Sequence, residues 1–170
     1  LGPDIVGAAF EQRCSLAGVR LCLQTHPHQD HFDPELIVSR HAEYGTVVAQ
    51  PLVLAASHGT LAGMDALVGQ RCAYGSLFEP ATQQALSLQL QEMVPFQRYT
   101  LGGYQVTGYP ANHDPEHQAL LFGIEHGGRA LFYGTDTAAL ADEVGQALGA
   151  QETRYDLLVL DHTYGLGYSS

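Results

Sequence analysis

The chain has 170 residues, 45% of them hydrophobic, which is enough to bury the core of a single domain. Its 7 Lys and Arg residues stand against 18 Asp and Glu residues, for a formal net charge of −11. This balance excludes a broad basic surface for a phosphate backbone, so we do not expect a nucleic-acid partner. Three cysteines without a CxxC pair predict free thiols. No stretch approaches the about 20 apolar residues of a membrane span, so we predict a cytoplasmic protein with no membrane association.

The first part of the chain predicts a helix, a strand and a second helix. Residues 5–12 have apolar positions that indicate a helix with one buried face. Residues 19–24 are an apolar run that predicts a strand. After a polar segment, Asp33 stands at an N-cap position with Pro34 at the first helical position, so we expect a helix to begin there.

The middle of the chain predicts a strand followed by helices. Residues 51–57 form a continuous apolar run, typical of a strand buried on both faces, and residues 60–68 have helical spacing. Residues 71–80 look irregular. Residues 79–93 mix Gln with Leu at intervals that predict a surface helix with one apolar stripe.

The last part of the chain predicts mainly strands. Residues 98–109 alternate apolar and polar side chains around a Gly-Gly pair, which predicts a hairpin. Residues 118–124 and 129–133 predict a second hairpin. Residues 137–148 then predict a helix, and residues 155–160 a final buried strand.

A cluster of histidines and a carboxylate directly follows the first predicted strand. Residues i and i+2 of an extended segment point the same way, so His26 and His28 can chelate one ion. The turn that follows can aim Asp30 and His31 at a second ion. Imidazole and carboxylate ligands suit zinc, iron or manganese, and the lack of nearby thiolates favours an open catalytic site over a structural zinc site. The alternative is a histidine-rich surface loop, which seldom follows a buried strand so abruptly.

The pattern His26-x-His28-x-Asp30-His31 resembles the signature of the metallo-β-lactamase superfamily of binuclear hydrolases. That superfamily also has a lone histidine later in the chain and then a bridging aspartate, and His113 and Asp136 match them in order and context. The resemblance implies an α/β fold, an αββα sandwich in which two sheets pack face to face with helices outside. Each motif follows a predicted strand, which is where open α/β sheets place their sites.

The resemblance further implies two divalent metal ions, with zinc favoured over manganese and iron. The first ion would be held by three histidines, and the second by Asp30, His31 and Asp136, with Asp136 bridging both. The histidines of the first site are His26, His28 and His113. The implied reaction is hydrolysis by a hydroxide held between the ions, with Asp30 guiding a proton to the leaving group.

Other residues are candidates for contacts around the metals or with a substrate. Asp161 ends the last predicted strand and His162 follows it, although a buried, hydrogen-bonded histidine is the more ordinary interpretation of His162. His117 lies near His113 in sequence and can reach a substrate. Three threonines flank the ligands and can orient them: Thr25, Thr135 and Thr137.

The motif context is most similar to the phosphodiesterase branch of the superfamily, which includes cyclic-phosphate phosphodiesterases and tRNA 3′-processing nucleases. Because the chain is acidic, we expect a small phosphodiester, cyclic esters included, rather than RNA. Lactone, thioester and β-lactam hydrolysis use the same metal core and stay open, as does redox chemistry on iron.

The chain departs from the superfamily pattern at both ends. It opens at Leu1-Gly2-Pro3-Asp4, where members have earlier strands, and only five residues follow Gly165, where members have a final metal-binding histidine. We therefore expect residues 1–170 to be one domain that lacks its first strands and its C-terminal end. Without the final ligand, a non-catalytic binding protein that retains the fold is the alternative. A homo-oligomer is compatible with either.

Overall fold

The structure, a computed structural model, describes residues 2–44, 50–151 and 153–161. The helices are α1 Ile5–Glu11, α2 Pro34–Val38, α3 His58–Cys72, α4 Pro80–Ala85 and α5 Asp142–Ala150. The strands are β1 Leu21–Leu23, β2 Leu52–Ala56, β3 Leu88–Glu92, β4 Arg98–Leu101, β5 Tyr104–Pro110, β6 Leu120–His126, β7 Arg129–Gly134 and β8 Leu157–Leu160. Within these ranges, no helix is long and apolar enough to cross a membrane.

The first sheet contains β1, β2 and β3, all parallel and in that order. Side chains alternate between its two faces, as they must in a strand: Leu52 and Leu54 pack against the helices, whereas Ala55 faces the second sheet. Cys22 joins the helix side as a small apolar residue, and the three cysteines are free thiols. Helices α2 and α3 supply the opposing apolar residues, among them Ile37, Leu61, Met64 and Val68.

The second sheet has the order β4-β5-β6-β7-β8, with antiparallel pairing from β4 to β7 and a parallel β7–β8 pair. Its inner face packs on the first sheet through Val106 and Phe122. Its outer face packs Tyr109 and Phe132 against Val144 of α5. Helices therefore cover both outer sides of two stacked sheets, which confirms the predicted αββα sandwich.

The strand directions place the site at one edge of the sandwich. Strands β5, β7 and β8 run the same way, so the loops that follow them leave from the same edge of the second sheet. The loop after β1 reaches this edge, because Leu120 N at the start of β6 donates to Thr25 O over 3.0 Å. Loops from both sheets thus converge at one place on a rigid scaffold.

The helix predicted over residues 79–93 is wrong in its second half. The helix ends at Ala85, and Ser87 takes a left-handed φ of 48° before β3 begins. β3 pairs in parallel with β2, so that Leu88 and Leu90 pack in the core on the helix side of the sheet. Tertiary pairing overrides the helix-compatible spacing of these leucines.

The helix predicted over residues 137–148 begins only at Asp142. Before it, Ala138 N donates to Asn112 O over 3.0 Å, which ties the segment after β7 to the loop after β5 instead of into a helix. The helix predicted over residues 60–68 is longer at both ends, and the Ser57 side chain caps it by accepting from Thr60 N.

Two predicted buried faces are exposed. Helix α1 has no buried residue, and Phe10 is 84% exposed. The final strand was predicted to be buried, but Leu157 and Leu158 are more than half exposed, at 57% and 56%. The apolar composition predicts the strand correctly. Its side chains are exposed because β8 is the edge strand of its sheet, with β7 as its one hydrogen-bonded neighbour among the described residues.

Candidate metal centre

A buried glutamine holds the loop that follows β1. The Gln24 side chain, 2% exposed, donates from Nε2 to the carbonyl oxygens of His26, over 2.8 Å, and of His31, over 3.0 Å. At the far end, the amides of His31 and Phe32 both donate to His28 O, which closes a tight turn. Phe32 is fully buried and anchors the turn in the core. The loop is therefore held by the protein itself.

Three histidines form the first potential metal-binding group: His26, His28 and His113. Each offers one ring nitrogen, and these nitrogens lie within 4.8 Å of one another. His28 Nδ1 is 3.3 Å from Nε2 of His113, which comes from the loop after β5. The structure brings together the three residues that the resemblance assigned to the first ion.

The second group contains His26, His31 and Asp136. Asp136 Oδ2 lies 2.7 Å from His31 Nε2 and 3.6 Å from His26 Nε2. The same oxygen is 3.9 Å from Nε2 of His113. Asp136 therefore lies close to histidines of both groups, and His26 belongs to both groups rather than to the first alone.

Asp136 has an uncommon backbone conformation. Its φ is +52°, in the left-handed region that few residues other than glycine adopt, although aspartate and asparagine tolerate it best. Such strain persists where the surrounding structure imposes it, and it is concentrated at functional sites. Here it turns the chain just after β7 ends, so that the carboxylate faces the histidines.

His26 is the buried centre of the cluster, and one of its ring nitrogens lacks a partner. The residue is 1% exposed, and Nδ1 lies 3.1 Å from Thr25 Oγ1, whereas Nε2 is buried without a hydrogen bond. Burial, followed by the neighbouring imidazoles, lowers the pKa of His26 from 6.5 to about 4. A neutral imidazole with a free nitrogen among other imidazoles and a carboxylate fits a metal ion such as zinc.

Asp30 lies at the rim of the cluster. Its Oδ2 is 3.4 Å from His31 Nε2, and its side chain is 76% exposed. It is therefore near the second group, with one side open to solvent.

The remaining candidates are placed differently. Asp161 follows β8, where its amide donates to Gly134 O over 3.3 Å, and His162 lies outside the described residues. Among the threonines, Thr25 contacts a cluster histidine, and Thr137 Oγ1 accepts instead from Asn112 N over 3.0 Å. Thr135 Oγ1 is buried without a hydrogen-bond partner.

Sequence reasoning missed two residues, Gln24 and Asp114. Asp114 is 8% exposed, and its Oδ2 lies 3.0 Å from His28 Nε2 and 2.8 Å from His117 Nδ1. Burial alone would raise the pKa of the Asp114 carboxyl, but hydrogen bonds from His117 outweigh burial and lower it. Asp114 could have been found from its position beside His113. Gln24 could have been found as the polar residue that ends an apolar run.

Two stacked sheets with outer helices, and imidazoles and carboxylates gathered beyond the strand ends, define a metal-binding fold of the metallo-β-lactamase type. The chain belongs to this superfamily, because the family described as "Beta-lactamase superfamily domain" matches residues 2–165. The superfamily consists generally of metal-dependent hydrolases.

Solved structures show the same fold at low identity. Zinc-bound PqqB from Methylobacterium extorquens superposes with a TM-score of 0.63 at 19% identity, over 95% of this chain and 54% of that one. The short form of human tRNase Z superposes with a TM-score of 0.61 at 17% identity, over 92% of this chain and 63% of that one. A diphosphatase from the PhnP family superposes with a TM-score of 0.55 at 16% identity, over 92% of this chain and 52% of that one. The chain thus spans about half to two thirds of these proteins. Comparison with curated proteins finds no match.

Proposed function

We propose that this chain carries the active site of a metal-dependent hydrolase that acts on a small phosphodiester. The observation that supports this most directly is His26, a buried imidazole whose free Nε2 faces neither solvent nor a hydrogen-bond partner. Around it lie the ligand atoms of two potential metal-binding groups. A buried polar atom left unpaired costs about 1–3 kcal/mol, and a bound cation removes that cost.

The residues divide between two divalent ions, with zinc first among the candidates. His28 and His113 would hold the first ion with His26, and Asp30 and His31 would hold the second with Asp136. When bound, such a pair of ions lowers the pKa of water and stabilises negative charge on oxygen. The zinc in PqqB supports the choice of metal by similarity of fold.

The protein's own groups then arrange the reaction. Asp136 places a negative charge between the two groups and lies 2.7 Å from His31 Nε2, which orients that imidazole. Asp30, exposed at the rim, is placed to pass a proton to a leaving group on the open side. Thr25 and Gln24 hold the His26 ring and the loop backbone in place before any substrate arrives.

The surroundings of the site support a small substrate. A cleft of about 380 Å³ lies between His28 and α3, at Gly63 and Leu67, and His28 is the one proposed ligand that lines it. Its size is in the range of small-molecule sites. With a net charge of −11, the chain lacks the positive charge that RNA binding requires. The likeness to a PhnP-family diphosphatase and to tRNase Z supports cleavage of a P–O bond over hydrolysis of a lactone or a thioester.

Metal content and hydrolysis, measured on the same sample, test this proposal. We expect about two zinc, manganese or iron ions per chain by mass spectrometry, together with turnover of a bis-aryl phosphodiester. His28→Ala is expected to lose both metal and turnover. Wild-type protein with two metals that cleaves an aryl lactone but no phosphodiester would overturn the substrate class, and metal-free protein would overturn the site.

A further inference from the structure

We propose that Asp114 is a positioning residue that fixes the tautomer and ring orientation of His28, and that His117 positions Asp114 in turn. The inference rests on the proposed metal site and concerns how that site is held. Nothing in the motif pattern assigned Asp114, which is 8% exposed and lies in the loop after β5.

The hydrogen-bond geometry carries the first step. Asp114 Oδ2 lies 3.0 Å from Nε2 of His28, whereas Nδ1 of His28 lies 3.3 Å from His113 Nε2. An ionised carboxylate can only accept hydrogen bonds, so Nε2 of His28 carries the N–H that donates to Asp114. Nδ1 then presents its lone pair on the His113 side, where a metal ligand is needed. Asp114 therefore selects the coordinating nitrogen of His28.

His117 fixes the carboxylate. Its Nδ1 lies 2.8 Å from Asp114 Oδ2, and its amide donates to Oδ1 over 3.2 Å. Three donors thus converge on one buried carboxylate from two sides. These contacts on both oxygens prevent the carboxylate from rotating away from His28.

His117 is itself held by the start of α3. Its carbonyl oxygen accepts from Ser57 Oγ and from Thr60 Oγ1, both over 2.9 Å. Gly59 approaches so closely that a Cβ there would lie 2.8 Å from the His117 carbonyl. The contacts therefore run from the start of α3 through His117 and Asp114 to His28, so that the helix anchors the two loops.

The same three side chains could instead hold a metal ion, because their ligand atoms also lie within 4.8 Å of one another. Hydrogen bonds are favoured because Nδ1 of His28 already faces His113, and because Asp114 Oδ1 also accepts from the backbone amide of His117. The two roles predict different behaviour for variants of His117.

The test measures zinc affinity by competition with a chromophoric chelator, on purified wild type and variants. Asp114→Asn keeps the shape of the side chain but removes its negative charge. Its amide N–H also faces one of the three N–H donors that the carboxylate accepts from. We expect zinc to bind about 10- to 100-fold more weakly. Asp65→Asn is the matched control, because Asp65 also accepts a backbone hydrogen bond, from Leu77 N, but lies away from the cluster. It is expected to leave zinc affinity unchanged.

His117 separates positioning from ligation. Asparagine can replace the Nδ1–H donor, so His117→Asn is expected to restore most of the affinity that His117→Ala loses. If His117 were a metal ligand, His117→Asn and His117→Ala would lose zinc affinity equally, and each would bind one metal fewer per chain. That result would overturn the inference. Wild-type affinity in Asp114→Asn would overturn it as well, while leaving the proposed function intact. Failure of the wild-type protein to bind zinc would overturn both.

Discussion

At the scale of single residues, His26 connects the burial of the site with its chemistry. A histidine that is 1% exposed, with one nitrogen unpaired, costs stability in the metal-free protein. The neighbouring imidazoles of His28, His31 and His113 also disfavour protonation of His26. Both features become favourable when a cation takes the place of a proton, because neutral imidazole is the form that binds metal.

The pH dependence of stability follows from His26. Its pKa is about 4 in the folded protein and 6.5 when unfolded, so between these values the unfolded chain binds the extra proton. The contribution to stability is complete above pH 6.5 and is lost as the pH falls toward 4. We expect the unfolding free energy of the metal-free protein to fall by up to about 1.4 kcal/mol per pH unit from this residue. Urea unfolding between pH 4 and 7 checks it, with His26→Asn as the comparison. Equal slopes in both proteins would contradict it.

Asp136 combines a charge with a strained backbone, and two substitutions separate them. Asparagine tolerates the φ of +52°, so Asp136→Asn is expected to fold with near wild-type stability but to bind metal more than about 100-fold more weakly. Asp136→Ala should lose the same affinity and, in addition, about 1–2 kcal/mol of stability without metal. Zinc titration and urea unfolding measure the two effects. Metal retained by the asparagine variant would rule out Asp136 as a ligand.

At the scale of elements, the sequence predicts the stacked-sheet fold and the gathering of His26, His28 and His113 beyond strand ends better than it predicts which strands become neighbours. Side-chain types and strand ends could be anticipated because they are local features. The exposure of Leu157 could not be predicted, because it depends on which strands become neighbours. The same holds for β3, whose leucines suit a helix until β2 offers a parallel partner. Gln24 and Asp114 escaped notice because their roles depend on contacts across loops.

Helix α3 offers a test of how packing controls the site. A Cβ at Gly63 would come 2.5 Å from His117 Cδ2 and 2.7 Å from Pro27 Cγ, so the ring or the loop must move. We expect Gly63→Ala to cost roughly 1–3 kcal/mol by overpacking and to weaken zinc binding as His117 shifts. Gly69 lies in the same helix with nothing within 4 Å of its added Cβ. Gly69→Ala is expected to gain up to about 1 kcal/mol and to leave zinc affinity unchanged. Thermal unfolding measures the stability of each variant, and chelator competition measures its zinc affinity. Similar zinc affinities for the two variants would contradict the coupling between α3 packing and the metal site.

At the scale of the whole molecule, the candidate metal-binding cluster and the apolar cores are separate. One core lies between the first sheet and its helices, a second lies between the sheets, and a third lies under α5. The ligands stand on loops at one edge, and the loop after β1 is held by Gln24 and Phe32. The scaffold therefore does not depend on metal for its formation, unlike small zinc domains.

Chelation should accordingly lower the stability of the protein without removing its fold. A metal that binds only the folded state at 100 times its Kd adds about 2.7 kcal/mol, which corresponds to roughly 5–10 °C in Tm for a chain of this size. We expect chelated protein to keep its far-ultraviolet circular dichroism and to regain the higher Tm as zinc is added back. Asp136→Asn should show a smaller rise at the same zinc concentration, because it lacks the ligand between the two groups. Loss of secondary structure on chelation would mean that the metal holds the sheets together, and a Tm indifferent to zinc would mean that the cluster does not bind it.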